Sequence, residues 1–569
     1  MSERIFIGVG WPYANGPLHL GHIAGAYLPA DIFARFHRIK GNEVLMVSGS
    51  DQHGTPITIK AEEEGTTAGE IAERYHKSFL ESWHNLGISW DLYTSTGTAN
   101  HAEATHDMFL TLQKNGYIYK SRTSQPYCPD CGRFLPDRYV EGTCPHCDDS
   151  GARGDQCDQC GKPLNAAELN QPRCVHCGTP PEFRETEHFF MKLSVFQERL
   201  TEWVEKQDHW RPSVKNFTLG FLREGLNDRA ITRDIDWGIT IPIEGFEDKR
   251  IYVWFEAVIG YLSGSKEWAK SIGEPEKWRD FWQEEAKTYY FIGKDNTVFH
   301  TMNWPAMLMG YEGLNLPYDV PANEFLTIES KKGSKSHNWA VWLNDFLERY
   351  DPDPLRYLLS INMPETSDTD FTWSEFVRRN NDELVATYGN LVNRVLTFTY
   401  KNYNGQVPTI EDMDAENGVI PLDEKDNELI NKSMIIMNDV LGDEGFLSRC
   451  RFKQAITAIM SLAHEANRYL DEKEPWKVIK QDRARAAVSL YVTLGVLIRL
   501  KTMLYPFLPF TSQKLHEYLG YEGQIEGYGI YSELPVPGQS LLVPKPLFTK
   551  LDPEIAEEEV AKLGQTRVV

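Results

Sequence analysis

The chain has 569 residues, of which 41% are hydrophobic and 25% charged. That balance excludes wholesale disorder and leaves room for several domains. Acidic residues outnumber basic ones, 82 against 59, for a net charge of -23; this argues against indiscriminate attraction to nucleic acid, although screening over about 8–10 Å lets a local basic patch act.

The longest mostly apolar stretch, Ala486 to Ile498, falls short of the about 20 residues that span a bilayer. The opening Met1-Ser2-Glu3-Arg4 has no signal-peptide pattern, so a cytoplasmic protein with no membrane partner is expected. In chain order, Arg4 to Gly10 reads as a strand and Pro12 to Pro17 as a turn. A helical pattern then runs to Lys40, which Pro29 should break or restart. Glu43 to Val47 reads as a second strand, ending in Ser50-Asp51-Gln52-His53-Gly54. Strand, loop, helix, strand is the opening of a doubly wound α/β sheet.

Helical patterns continue to about residue 115. A second α/β portion follows over about 230–325, with strands expected at Arg250–Phe255 and Thr288–Ile292. A further run, Glu324–Ile328, leads into Ser330-Lys331-Lys332-Gly333-Ser334-Lys335-Ser336. From about 380 the chain turns helical. Leu384, Tyr388, Leu391, Val395 and Phe398 form an amphipathic stripe, with similar patterns over 425–440, 450–471 and 482–518. The tail after 540 is Pro-rich and then acidic, and reads as a loose strap.

Between the two α/β portions lie eight of the nine cysteines, in four CxxC pairs: Cys128/Cys131, Cys144/Cys147, Cys157/Cys160 and Cys174/Cys177. Paired thiolates in a cytoplasmic chain read as zinc knuckles, and metal must replace a core in a block with little periodic hydrophobicity. Cys450 stands alone and reads as a buried apolar thiol. Nine residues, Asp148 to Gln156, separate the two middle pairs, a short and cheap loop to close. Pairing them leaves Cys128/Cys131 with Cys174/Cys177 as a nested outer site; sequential pairing is the alternative. Closed four-thiolate sites make such zinc structural.

His19-Leu20-Gly21-His22 stands where the first strand hands over to the first helix, and helix N-termini favour phosphate. Lys332-Gly333-Ser334-Lys335-Ser336 is a basic small-residue loop able to close over polyphosphate. Either motif alone is weak. Together, on a split α/β fold, they resemble the signature pair of the class I aminoacyl-tRNA synthetases.

The match is closer to one family. Trp11 to His22, Ser50 to Pro56, the knuckle insertion, Ala230-Ile231-Thr232-Arg233-Asp234, Tyr252-Val253-Trp254, Ile292-Gly293-Lys294-Asp295 and Glu474-Pro475-Trp476 all resemble methionyl-tRNA synthetases, over residues 4 to about 540. Four knuckle pairs and Gly293-Lys294-Asp295-Asn296 look more like the archaeal and eukaryotic branch of that family.

The resemblance implies a split Rossmann-type parallel sheet, an inserted zinc-knuckle domain and an all-α bundle. The expected divisions are a first Rossmann half at 1–116, the knuckle insertion at 117–229 and a second half at 230–325. A lysine-loop region at 326–380, a helical anticodon-binding domain at 381–540 and a tail at 541–569 complete the chain.

The resemblance also implies roles. Asp51 binds the methionine α-ammonium, and Trp11, Tyr13, Trp254, Ala257, Tyr261 and His300 line the thioether pocket. Pro12, His19, Gly21, His22, Gly293, Asp295, Lys332, Ser334, Lys335 and Ser336 hold ATP, with His19, His22, Lys332 and Lys335 catalytic. Asn390, Arg394, Pro475 and Trp476 read the anticodon. Three positions depart from the better-known bacterial pattern: Trp11 where Leu is common, Val258 where Pro is common, and Gly333 for the usual Met of the lysine loop. The family nests its two knuckle sites as above. One or two structural Zn²⁺ per chain, Mg²⁺ with ATP, and tRNA(Met) including the initiator form are expected partners. No dimerisation domain is visible after the bundle, so a monomer is expected.

Overall fold

The structure is a computed structural model and describes residues 2–565, except 155, 158, 161, 163, 284, 334–337, 416–417 and 531–533. Ser334, Lys335 and Ser336 of the lysine loop therefore lie outside the described residues.

The central sheet has five parallel strands. From one edge they run Ala322–Asn323, Lys287–Gly293, Arg4–Val9, Glu43–Ser50 and Leu92–Ser95. Arg4–Val9 sits in the middle, with Phe6 opposite both Thr288 and Leu45. The two halves expected from sequence thus close on one strand, which is the topological switch point where α/β sheets bind ligands. Both faces of the sheet are covered, and strand alternation sorts them. Ile5, Ile7 and Val9 enter one core, while Phe6, Leu45 and Val47 enter the other.

Pro29 restarts the first helix and does not break it. Leu20–His22 runs into a π-turn, Ile23–Tyr27, and then into Leu28–Ile39 with Pro29 at its start. Within the wide turn the Leu28 N–H bonds the Ile23 carbonyl, so the next carbonyl in register, that of Ala24, faces a proline without a donor. Asn323 Nδ2 donates to the Ala24 carbonyl instead, at 2.8 Å.

Arg250–Phe255 is not one strand. Only Arg250–Ile251 pairs, with Thr232–Arg233, and Val253–Glu256 is helical. A short apolar run serves a buried helix as well as a strand. Here the Phe255 and Glu256 N–H groups turn back onto the Tyr252 carbonyl, at 2.9 and 3.2 Å. Thr288–Ile292 lies within the Lys287–Gly293 strand as expected.

The insertion is carried on a long antiparallel hairpin, Ile118–Cys128 against Glu182–Met191. At its tip a small core gathers Leu135, Tyr139, Val140, Ala152 and Leu164 around buried cysteines. It leans on the Thr55–Glu64 helix, where Tyr139 Oη donates to Thr58 Oγ1 at 2.8 Å and Arg133 pairs with Glu62 at 2.8 Å.

The C-terminal half is a bundle built on Asn390–Asn402, Glu424–Leu441, Phe452–Lys473 and Arg483–Leu504. Arg483–Leu504 is long and apolar enough to cross a membrane, yet it is almost wholly buried in the bundle. The tail is not a loose strap throughout. Ile555–Lys562 is a helix packed on Trp373–Arg379, with Glu559 buried between Arg349 and the Tyr350 hydroxyl. One buried cluster ties bundle to sheet: Asp31 and Arg356, each fully buried, pair at 2.6 Å, and Arg356 also donates to the carbonyls of Pro506 and Phe507.

Candidate active site and metal centres

His19 caps the first helix, and the cap is reciprocal. His19 Nδ1 accepts from the Gly21 N–H at 3.2 Å, and His22 Nδ1 accepts from the His19 N–H at 3.1 Å. The two rings stack with centroids 3.8 Å apart. A ring nitrogen that accepts from a backbone N–H carries no proton, so in the neutral form each imidazole holds its proton on Nε2. The pair therefore presents donors beside the helix N-terminus, where the dipole already favours anions.

The lysine loop is returned to this point by backbone pairing. Leu20 N donates to the Val341 carbonyl at 3.1 Å and Leu343 N to the Leu18 carbonyl at 2.9 Å, with Trp342 edge-on to His19. The loop's entry is a tight turn in which Glu329 and Ser330 both have positive φ, 48° and 62°. The Asp370 carboxylate holds that strained turn by accepting from the Ser330 N–H at 2.9 Å. Trp339 Nε1 donates to the Ile328 carbonyl at 2.9 Å, closing the loop's stem. Lys332 Nζ lies 5.7 Å over the Phe325 ring, which Lys294 also covers at 4.1 Å. The Gly293–Asp295 motif and the lysine loop are thus neighbours, and bare Gly293 leaves room for the Asp295 carboxylate, whose Oδ1 would stand 2.7 Å from a Cβ there.

Across the switch point, Asp51 is bound through its backbone to the opposite loop. Its N–H donates to the Pro12 carbonyl and its carbonyl accepts from the Ala14 N–H, both at 2.8 Å. The side chain is 4% exposed. Burial, and then the nearby Glu256 carboxylate, push the Asp51 carboxyl well above the usual carboxylate range, against the weaker pull of the His53 N–H and Thr96 hydroxyl. An arriving cation would relieve both effects.

Tyr13 is bridged to Asp51 through the backbone, and the aromatic positions connect from there. Tyr13 meets Trp254 edge-on at 6.1 Å, and Trp254 stacks flat on Phe299 at 4.1 Å. Tyr261 Oη bonds His300 Nε2 at 2.7 Å, while His300 Nδ1 bonds the Asn296 carbonyl at 2.9 Å. Burial pushes the His300 imidazole down to about 4, so it is neutral at physiological pH. Ala257 is buried beside them. Trp11 fits because two glycines make room: a Cβ on Gly49 or Gly260 would overlap its indole.

Sequence reasoning missed four residues here. Phe299 supplies the stacking partner of Trp254, and Trp237 Nε1 donates to the Gln52 carbonyl at 2.8 Å. Glu256 and His101 lie deeper, bonded to each other at 3.2 Å. Glu256 stands two residues beyond the Tyr252-Val253-Trp254 motif, and nothing in its spacing marks it.

The cysteines form two nested groups. Within Cys128, Cys131, Cys174 and Cys177, and again within Cys144, Cys147, Cys157 and Cys160, all sulfurs lie within 4.8 Å of one another. Sulfur separations of 3.4, 3.6 and 3.9 Å in the outer group and 3.6 and 3.9 Å in the inner one bracket the about 3.8 Å edge of a tetrahedron with 2.3 Å zinc–sulfur bonds. No disulfide links them. Gly132, Asp148 and Gly178, each just after a pair, turn with positive φ and donate back to the carbonyls of Cys128, Cys144 and Cys174. The donor set and its spacing fit tetrahedral zinc. Cys450 is buried and apart from both groups.

In the bundle, Arg394 lies 4.6 Å over the Trp476 ring and pairs with Asp471 at 2.7 Å. Asn390 is exposed one turn earlier on the same helix, and buried Pro475 opens the short turn Pro475–Val478.

A family model described as tRNA synthetases class I (M) matches residues 5–396, and one described as the anticodon binding domain of methionyl tRNA ligase matches residues 422–567. The chain belongs to the class I methionyl-tRNA synthetases. It is 62% identical over 564 residues to the methionine–tRNA ligase of Dehalococcoides mccartyi, covering 99% of this chain and 100% of that one. To the methionine–tRNA ligase of Chloroflexus aurantiacus it is 51% identical, covering 99% of each. Among solved structures, Mycobacterium tuberculosis methionyl-tRNA synthetase bound by methionyl-adenylate superposes with a TM-score of 0.78 at 26% identity, over 96% of this chain and 100% of that one. The family membership accounts for the split sheet, the knuckle insertion and the helical bundle together.

Proposed function

We propose that this methionyl-tRNA synthetase forms methionyl-adenylate in the crevice above the Arg4–Val9 strand and then passes methionine to tRNA(Met). The observation that carries the reading is the reciprocal cap of His19 and His22 facing the stem of the lysine loop. The methionine carboxylate attacks the α-phosphorus of ATP, and pyrophosphate leaves. No side-chain nucleophile is required, since the substrate brings its own. The chain's work is positioning and charge stabilisation.

His19 and His22 donate to the phosphates from Nε2, and Lys332 and Lys335 close over them with Ser334 and Ser336. Pro12 and Gly21 let the nucleotide approach the backbone, and Gly293 and Asp295 hold it at the far strand end. Asp51 takes the α-ammonium. Trp11, Tyr13, Trp254, Ala257 and Tyr261 enclose the thioether, with neutral His300 at its end. In the second step the ribose hydroxyl of the terminal adenosine attacks the acyl carbonyl, and AMP leaves. Mg²⁺, when bound with ATP, neutralises phosphate charge.

Cys128, Cys131, Cys174 and Cys177 would hold one structural Zn²⁺, and Cys144, Cys147, Cys157 and Cys160 a second. Asn390, Arg394, Pro475 and Trp476 read the anticodon by stacking and hydrogen bonds, as unpaired bases are read. The six divisions of the chain drawn from sequence, a monomeric state, a cytoplasmic location and action on initiator tRNA belong to the same reading. Pyrophosphate exchange run with each amino acid in turn tests it. Exchange driven by methionine alone is expected; equal exchange with another amino acid, or none with methionine, overturns it.

A further inference from the structure

Beneath the ammonium site lies a buried chain of titratable groups to which none of the roles above has been given. Glu256 Oε1 and Oε2 bond His53 Nδ1 at 2.8 and 3.0 Å, and Glu256 Oε2 bonds His101 Nε2 at 3.2 Å. His101 Nδ1 bonds Ser263 Oγ at 2.8 Å. Glu256 is 0% exposed, His101 1% and His53 8%. His53 in turn gives its backbone N–H to Asp51 Oδ1 at 3.2 Å. The three groups come from separate pieces of the fold: the loop after Glu43–Ser50, the Ala99–Lys114 helix and the Val253–Glu256 helix.

We infer that Glu256 is a positioning residue for methionine: gripped by His53 and His101, it sets the charge state of Asp51 and so the pH range over which the crevice accepts the α-ammonium. This rests on the reading of Asp51 as the ammonium ligand. A fully buried carboxylate is maintained only by partners that compensate it. Glu256 has two imidazoles for that purpose, and burial, which pushes its carboxyl up, is outweighed by His53 and His101, so it is held below the usual range. Among the described residues Asp51 has no such pair, and it feels Glu256 as a like charge.

Neutral side chains stand against this chain. Thr105 Oγ1 approaches His101 Nε2 at 3.5 Å, Trp237 stands edge-on to His53, and Trp11 lies tilted beside His101. On the neighbouring strand Arg233 covers the Tyr252 ring at 3.7 Å and donates to the carbonyls of Ala230 and Thr232. The unliganded crevice thus holds two carboxyl groups close together, one compensated from within and one awaiting the substrate's cation.

The sign follows. Methionine binds the ionised form of Asp51, so its KM should climb as pH falls through the raised Asp51 value. Glu256→Gln removes the like charge, so that acid limb should move to lower pH by about one unit, the equivalent of tenfold in proton affinity. Lost negative potential should raise the neutral-pH KM for methionine, with KM changing more than kcat. Glu256→Asp, which keeps the charge, should return the limb towards its original position, which a packing defect would not do. If Glu256→Gln does not fold, His101→Leu strips a hydrogen-bond donor from Glu256 and should displace the limb, whereas His101→Gln keeps a donor and should displace it less.

The readout is methionine-dependent pyrophosphate exchange by the full chain over a pH series. A wild-type profile with no acid limb, or a limb unmoved in the variants, overturns the inference. Asp51→Asn separates the two readings: it should raise KM sharply and abolish the limb. If it does neither, the ammonium role of Asp51 itself fails; if it does both while Glu256→Gln shifts nothing, only the role of Glu256 fails.

Discussion

The catalytic crevice and the helix face carrying Arg394 and Trp476 are built from opposite materials. In the crevice, titratable groups are buried. Asp51, Glu256 and His300 are each less than 9% exposed, and each is fixed by hydrogen bonds to backbone or to a buried side chain. In the bundle, Arg394 is half-exposed and borrowed by Asp471, which is 64% exposed. An exposed ion pair of that kind is worth only about 0–1 kcal/mol and exchanges easily for a ligand. Charge stabilisation in a reaction needs fixed dipoles in a dry site, whereas reading a base needs a flat surface that can be uncovered.

The knuckles test the comparison hardest, because they lean on the helix that follows Asp51. Elemental analysis should find two zinc ions per chain, and Cys144→Ala should lose one. Structural zinc contributes about 10–16 kcal/mol to folding its own site. Stripping both ions should therefore collapse pyrophosphate exchange while leaving anticodon-dependent tRNA binding largely in place. A metal-free, fully active protein would defeat the knuckle reading, and a single zinc would favour an incomplete outer site.

Arg356 joins the two regions, so its loss should damage both. Arg356→Met leaves Asp31 buried with one guanidinium in place of two and should cost about 3–5 kcal/mol. Burial alone would push Asp31 up, but Arg35, Arg356 and Ser89 together hold it well below the carboxylate range. A group depressed in this way adds stability above its unfolded value of about 3.9, and that stability is lost as pH falls towards the folded value. Denaturant midpoints of wild type and variant should thus differ most near neutrality and converge in acid. A constant gap at all pH values would show that packing, and not charge, carries the effect.

Much of this was legible in the sequence. The Arg4–Val9 and Lys287–Gly293 strands, the bundle helices and the CxxC pairs announce themselves through apolar runs, periodicity and spacing. Three features do not. Tyr252 to Phe255 is apolar enough for a strand but is wound into a helix by the Tyr252 carbonyl. The π-turn at Ile23–Tyr27 depends on Asn323, far along the chain, to satisfy a carbonyl that Pro29 cannot. Glu256 and His101 meet only because three elements converge, so no local pattern betrays them. The tail helix escapes the sequence for a related reason: Ile555–Lys562 is a short acidic helix whose stability comes from docking against Trp373–Arg379 and Arg349.

A lysine in the loop sharpens the crevice side of the comparison. Lys335→Ala should slow adenylate formation by about 10²–10³, the scale on which removal of one preorganised charge-stabilising donor acts. Methionine affinity should change little, because that charge is needed as the phosphoryl oxygens develop theirs. Exchange and charging should fall together. If methionine binding collapsed while the rate on bound substrate survived, the loop would serve binding and not the transferring phosphoryl group.

The smallest effect is expected at the bundle, and it should be selective. Trp476→Ala removes the surface under Arg394 and, on the proposed reading, a stacking platform worth about 1–3 kcal/mol per base. At about 1.4 kcal/mol per tenfold, aminoacylation efficiency should fall roughly five- to a hundredfold or more. Trp476 is half-buried and packs against the larger core, so some loss of stability is also expected. Pyrophosphate exchange without tRNA distinguishes the two causes. It depends on the crevice, whose Asp51 and His19 are held by contacts within the sheet domain and the lysine-loop stem. Exchange should therefore stay near wild type while charging drops. Arg394→Ala should behave alike but more mildly, since the ring it covers remains and only the guanidinium and its easily exchanged pair with Asp471 are lost. Equal losses in both assays for Trp476→Ala would make the indole a support of the fold. Unchanged charging would mean that this face does not meet the anticodon.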